Sequence, residues 1–183
     1  MQIISGKFKR LKLHFPKDQS FRPTKGIVRE SIFNKIGNRI QGTIFLDLCS
    51  GTGSVGFEAE SRGASHVICV DQNVDYICQN ALRLQSNAEI VQSSVQNYLK
   101  QYPKHPVDYI YFDPVWSVFD MYKDVFEQIV QHECMAPSTW LCVEHESHEK
   151  LPMVSGLIAW DSCQFGRSMV TILRQKKDGN KYM

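Results

Sequence analysis

Phe45-Leu46-Asp47-Leu48 is an apolar run that meets an acid and passes directly into Cys49-Ser50-Gly51-Thr52-Gly53-Ser54-Val55-Gly56. A buried strand, a glycine turn and a helix start in that order constrain this chain more than any other feature. The glycines let the backbone come close to a ligand, and the first N–H groups of the helix have no partner within it. The spacing Gly51-x-Gly53-x-x-Gly56 also fits the dinucleotide fingerprint, so by itself it leaves the bound group open.

From residue 43 onward the pattern alternates. Strands are predicted near 43–48, 66–71, 88–91, 107–112, 138–145, 157–163 and 168–174, with helices near 54–62, 73–86, 94–101 and 119–132 between the earlier ones. Such alternation requires an α/β fold: a largely parallel sheet with helices on both faces. The last two strands are joined only by Gln164-Phe165-Gly166-Arg167, which predicts an antiparallel pair at the sheet edge. Ligands of open α/β sheets bind beyond the carboxyl ends of the strands, where Asp47, Asp71 and Asp113 converge.

The first forty residues differ from the rest. They hold ten Lys/Arg against Asp18 and Glu30, whereas the remaining chain holds eleven against seventeen. Residues 2–15 alternate apolar and basic positions around Gly6, as a short hairpin does, which brings Lys7, Lys9, Arg10 and Lys12 together. Arg22-Pro23-Thr24 reads as a loop and 25–38 as a helix with Ile27, Val28, Ile32, Phe33 and Ile36 at helical spacing. The expected division is a basic N-terminal extension over 1–40 and a main domain over 41–183. A basic arm on a mildly acidic body suits a polyanion and predicts strongly salt-dependent binding to it.

Six cysteines, at 49, 69, 78, 134, 142 and 163, form no C-x-x-C pair. Buried free thiols in a reducing cytoplasm are the expectation. Nothing near the start resembles a signal peptide, and no membrane span is evident. His145 and His148, with Glu144, Glu146 and Glu149, straddle a strand end; no second cluster completes a metal site. No hydrolase elbow or Walker loop is present.

Three acids carry the candidate chemistry. Asp71 ends the second strand, where a carboxylate can accept two hydrogen bonds from ribose hydroxyls or else cap the next helix. Asp47 can answer a cationic amino group or fix the glycine turn by accepting backbone N–H bonds. Asp113-Pro114-Val115-Trp116 follows the fourth main strand. An exocyclic amine on a base is a poor nucleophile, and acceptors at its two N–H groups favour a pyramidal nitrogen with a directed lone pair. The Asp113 carboxylate and Pro114 carbonyl are those acceptors, and Trp116 can stack on an extruded base. The residues together indicate a methyltransferase acting on nucleic acid. A nicotinamide dehydrogenase explains the glycines but neither Asp113-Pro114 nor the basic arm. A DNA adenine-N6 methyltransferase shares the loop chemistry but needs a target-recognition domain for which this chain has no room.

These residues resemble the RsmD-type methyltransferases of 16S ribosomal RNA over nearly the whole chain. The matching segments are Ile3-Ile4-Ser5-Gly6-Lys7-Phe8, Arg22-Pro23-Thr24, Val28-Arg29-Glu30-Ser31-Ile32-Phe33-Asn34, Leu46 through Ala59, Ser61-Arg62-Gly63-Ala64, Phe112-Asp113-Pro114, Val143-Glu144-His145-Glu146 and Phe165-Gly166-Arg167. The resemblance implies a class I methyltransferase (Rossmann-like) seven-stranded sheet and transfer of a methyl group from S-adenosylmethionine to a guanine N2. It implies a cofactor site of Thr24, Asp47, Ser50, Gly51, Gly53, Asp71 and Ser94, with guanine held by Asp113, Pro114 and Trp116. RNA contact falls to Lys7, Lys9, Arg10, Lys12 and Arg22, and the partner is 16S rRNA within a small ribosomal subunit or assembly intermediate. A monomer is the simplest expectation. Val115 stands where the family pattern has a second proline, and Ser94 where it has an acid facing the adenine amine. Activity is expected to survive the first change in weakened form. A non-catalytic RNA-binding relative, drifted at these two positions, is the alternative.

Overall fold

The computed structural model describes residues 1–16, 24–102, 105–114 and 120–176. Arg22, Pro23, Val115 and Trp116 lie outside the described residues. The elements are α1 (Gly26–Ile36), a 3-10 turn (Gly37–Ile40), β1 (Ile44–Leu48), α2 (Ser54–Ser61), β2 (His66–Asp71), α3 (Asp75–Leu84), β3 (Glu89–Gln92), α4 (Val95–Gln101), β4 (Val107–Phe112), α5 (Asp120–Gln131), β5 (Met135–Glu146), β6 (Leu157–Phe165) and β7 (Ser168–Gln175). One seven-stranded sheet runs in the order β3-β2-β1-β4-β5-β7-β6. β1 pairs in parallel with β2 and with β4, and β4 with β5. β7 pairs antiparallel with both β5 and β6, leaving β6 as the edge.

Apolar runs without polar alternation dictate strands covered on both faces. One face buries Phe45, Val67, Tyr109, Tyr111 and Trp140 against residues of α1, α2, α3 and the N-terminal segment. The other buries Leu46, Leu48, Ile68, Ile110 and Phe112 against α4 and α5. Helix α2 is buried along its whole length, and Gly56 is needed there because an added Cβ would lie 2.6 Å from Cys69 Sγ. No helix among the described residues is long and apolar enough to cross a membrane. All six cysteines are free; Cys69, Cys134 and Cys142 are buried.

At two N-terminal places the structure refines the sequence reading: the hairpin-like reversal is present without a ladder, and one apolar helix position is exposed. Residues 2–15 form no strand ladder: a single Gln2–Lys12 bridge closes a loop reversed at Gly6 (φ 79°) and Arg10 (φ 69°). Its two arms bond across the reversal, Ile3 N–H to Leu11 O, Arg10 N–H to Ile3 O and Leu13 N–H to Met1 O at 2.9 to 3.0 Å, and the loop is also tied to α2. Lys7 N–H donates to Ser61 O at 2.8 Å, and Ile4 and Ser5 N–H donate to the Glu58 carboxylate at 2.7 and 3.0 Å. Ile3, Phe8 and Leu13 thereby enter the sheet's core. In α1, Val28, Ile32, Phe33 and Ile36 are buried but Ile27 is 62% exposed, because it lies about 100° around the helix from Val28, outside the stripe the other four share.

Candidate functional site

Sheet order reverses between β1, flanked by β2, and its other neighbour β4, so a crevice opens at their carboxyl ends. The glycine turn closes its floor. Gly51 (φ 57°) and Gly53 (φ 75°) occupy left-handed conformations that a side chain would strain, and Gly53 N–H donates to Ser50 O at 2.8 Å. Ser50 Oγ donates to the Asp47 carbonyl at 2.6 Å, so its hydroxyl shapes the turn from within. Asp71 sits opposite: Oδ2 accepts from Gly51 N–H at 2.8 Å and Oδ1 from Asn73 N–H at 3.0 Å. Asn73 Oδ1 in turn accepts from Asp75 N–H, which delays α3 to residue 75. Each carboxylate oxygen of Asp71 keeps a second lone pair for a hydroxyl. Ser94 is the N-cap of α4, its Oγ accepting from Asn97 N–H at 3.2 Å.

Asp47 is 1% exposed, and its Oδ2 accepts from Gly56 N–H at 2.8 Å. The turn-fixing geometry is therefore present. Burial pushes its carboxyl up to about 7, opposed by the Gly56 bond and reinforced by Asp71. Cys49, held at φ 61°, has its thiol pushed up by burial and then by the charges of Asp71, Asp113 and Asp47. Three carboxylates thus surround one point of the crevice, and a cationic ligand is the charge complement. Thr52 Oγ1 is buried in the same turn without a hydrogen-bond partner. An acid-lined glycine cradle with an unsatisfied hydroxyl fits a group carrying both a sulfonium and an amine.

The raised Asp47 pKa gives a signed expectation. Between the ordinary aspartate value of about 4 and about 7 the folded state holds a proton that the unfolded chain has released, so stability falls as pH rises through that window. Asp47→Asn should abolish that fall, which is on the order of a few kcal/mol, in urea unfolding at pH 5 and pH 8. An unchanged fall in the variant would assign it to other groups.

At the end of β4, Asp113 is half-buried and Pro114 buried. Thr24, just ahead of α1, brings its Oγ1 within 3.4 Å of Asp113 Oδ2. Behind Asp113 lies a pair that sequence reasoning did not single out together. Tyr111 OH donates to Glu144 Oε2 at 2.6 Å, and Tyr122 OH donates to the Glu144 carbonyl at 3.1 Å. Tyr111 is 1% and Glu144 4% exposed. Burial, then the charges of Asp113 and Glu144, push the Tyr111 phenol far up, while Thr24 also hydrogen-bonds it. Tyr111 stays protonated and donates to Glu144, while Thr24 beside it bonds Asp113. Strand periodicity carried the signal, since Tyr111 and Asp113 share a face. His145 turns away, its Nε2 lying 2.9 Å from Thr171 Oγ1.

Of the basic arm, Lys9, Arg10 and Lys12 are exposed, while Lys7 is paired with Glu60 at 2.9 Å. The arm is tied to the glycine turn by buried Asn80 on α3. Asn80 Oδ1 accepts from His14 N–H at 2.6 Å, and Nδ2 donates to His14 O and Thr52 O at 2.9 and 3.0 Å.

The family described as Conserved hypothetical protein 95 matches residues 1–174. The chain belongs to this family, the RsmD-type rRNA methyltransferases. Among relatives of the RsmD type, the ribosomal RNA small subunit methyltransferase D of Escherichia coli is 27% identical over 158 residues, covering 84% of this chain and 79% of that one. YlbH of Bacillus subtilis, named as a candidate rRNA methyltransferase, is 29% identical over 184 residues, covering 96% of this chain and all of that one. The Escherichia coli yhhF structure superposes with a TM-score of 0.84 at 24% identity, covering 97% of this chain and 99% of that one. The RsmD-type sheet is thus that of a class I methyltransferase.

Proposed function

We propose that this protein methylates the exocyclic N2 amine of a guanine in small-subunit rRNA. The cofactor is S-adenosylmethionine, which supplies an electrophilic methyl group when bound. The observation that carries the reading is the placement of Asp113-Pro114 beside Thr24 in the crevice that Asp47 and Asp71 line. Asp71 holds the ribose through its free lone pairs, Asp47 answers the ammonium, and Gly51 and Gly53 admit the close approach. Thr24 lies near the methionine end, while Ser50 and Ser94 hold the turn and the adenine-side helix start. The Asp113 carboxylate and the Pro114 carbonyl accept the two N–H bonds of the guanine amine and hold its lone pair toward the methyl group. Asp113 also offsets the positive charge that grows on nitrogen during transfer, so alignment and electrostatics supply most of the acceleration. Trp116 stacks on the guanine in this scheme. Lys7, Lys9, Arg10, Lys12 and Arg22, within the basic first forty residues, meet the phosphates of a small ribosomal subunit or assembly intermediate. The protein acts as a monomer in the cytoplasm, where six free thiols stay reduced.

The test is methyl transfer from labelled S-adenosylmethionine to small ribosomal subunits lacking the modification, followed by nucleoside analysis. N2-methylguanosine is the expected product. N6-methyladenosine would move the substrate to an adenine amine, and absence of transfer despite cofactor binding would leave an RNA-binding relative drifted at Val115 and Ser94.

A further inference from the structure

At the end of the sheet opposite the crevice, two arginines flank a pair of packed tryptophans that the methyl-transfer chemistry does not use. Trp140 on β5 is 3% exposed and meets Tyr109 edge-on at 6.0 Å. Trp160 on β6 packs against Trp140 with ring centroids 5.0 Å apart, yet 47% of it remains exposed. The Arg174 guanidinium lies 3.6 Å from the Trp160 ring centroid, and Arg39 lies 4.5 Å over Trp140. The register of β6 against β7 shifts between Ala159 and Asp161, so Trp160 occupies a bulge, a device that re-aims a side chain. Trp140 suffices as the packing half of this pair; Trp160 adds a large ring held rigid by its neighbours and left open to solvent.

We propose that Trp160 is a stacking platform for an unpaired base of the RNA substrate, distinct from the nucleotide that is methylated, with Arg174 beneath the ring and Arg39 toward the adjoining phosphate. The inference rests on the rRNA reading above. Charge supports this occupant. Arg39, Arg174 and Lys35 face two carboxylates that are already engaged, Asp161 by Lys35 at 2.6 Å and Asp108 by the Ile44 N–H at 2.8 Å. Arg174 Nε is buried without a hydrogen-bond partner. The platform is also continuous with the basic arm. The Lys7 turn bonds to Ser61 at the end of α2, and the next residues there, Arg62 and Gly63, accept from Gln41 Nε2 and Gly42 N–H beside Arg39. Trp140 pairs with Tyr109, four residues before Asp113, and Trp160 lies farther out on the edge strand, so strand rise and strand spacing put the platform roughly 15 to 20 Å from the reacting end. Base–aromatic stacking of this kind tolerates any base, so the platform adds affinity without reading sequence.

The experiment measures binding of the full chain to small ribosomal subunits lacking the modification, with Trp160→Leu and Trp160→Phe beside the parent. The leucine keeps an apolar contact to Trp140 at an exposed position but removes the aromatic face. Affinity for subunits should fall roughly tenfold in Trp160→Leu and recover in Trp160→Phe, while cofactor affinity stays at the parent value in both. Parent-like affinity in Trp160→Leu overturns the platform alone. A parent that binds no subunits overturns the rRNA reading and the platform with it. A parent that is dimeric by light scattering, with Trp160→Leu monomeric, overturns the platform by assigning this edge to a second copy of the chain.

Discussion

Replacing Asp113 with alanine should lower methyl transfer to small ribosomal subunits by roughly a hundredfold or more, with a far smaller loss of cofactor affinity. The separation follows from position. Asp113 lies beyond β4, joined to Thr24 Oγ1 at 3.4 Å, whereas the turn and ribose positions belong to β1 and β2. Alanine removes both the acceptor that directs the amine lone pair and the charge that offsets the developing cation. Asp113→Asn keeps an acceptor oxygen but no charge, so it should fall between the two. A single-turnover assay with saturating cofactor reads the chemical step directly. If Asp113→Ala turned over at the parent rate, the acceptor role would pass to another group in the crevice.

Glu58→Ala should cost about 3 to 5 kcal/mol, enough to lower the midpoint of thermal unfolding by roughly 10 °C. Glu58 is completely buried, accepts the Ile4 and Ser5 N–H bonds, and lies 2.7 Å from Arg62 Nε. Truncation would strand two backbone donors and a guanidinium in a core that also holds Arg29, whose own charge is disfavoured by burial. The loss should be accompanied by rapid amide exchange at residues 3–13, since those contacts anchor the segment to α2. A loss below about 1 kcal/mol, within the range of an exposed pair, would show that apolar packing of Ile3, Phe8 and Leu13 suffices to hold it.

The main sheet was legible because parallel strands covered on both faces leave continuous apolar runs. β2 and β4 coincide with the predicted spans 66–71 and 107–112, and the final antiparallel pair followed from the short Gln164–Arg167 connection. The N-terminal segment was less legible. Its alternation of apolar and basic residues is what a hairpin leaves, and its arms do bond to each other, but the bonds that anchor it to the domain reach to Glu58 and Ser61, over fifty residues away. For the same reason Glu58 and Ser61 read only as part of the helix near 54–62. In the site, the glycine turn and the three acids announced themselves through local spacing. The Tyr111–Glu144 pair did not, because its partners come from different strands and no local spacing joins them.

Asn80 holds His14 with one hand and Thr52 with the other, so the arm and the cradle share a single buried amide. Any shift in the arm that RNA stabilises must be accommodated at the glycine turn, and any tightening of the turn around its ligand must be accommodated at the arm. By linkage the two effects are equal: whatever factor RNA applies to affinity for the methyl donor, the donor applies to affinity for RNA. The products obey the same rule with a factor of their own: whatever the spent cofactor does to affinity for the modified RNA, the modified RNA does to affinity for the spent cofactor.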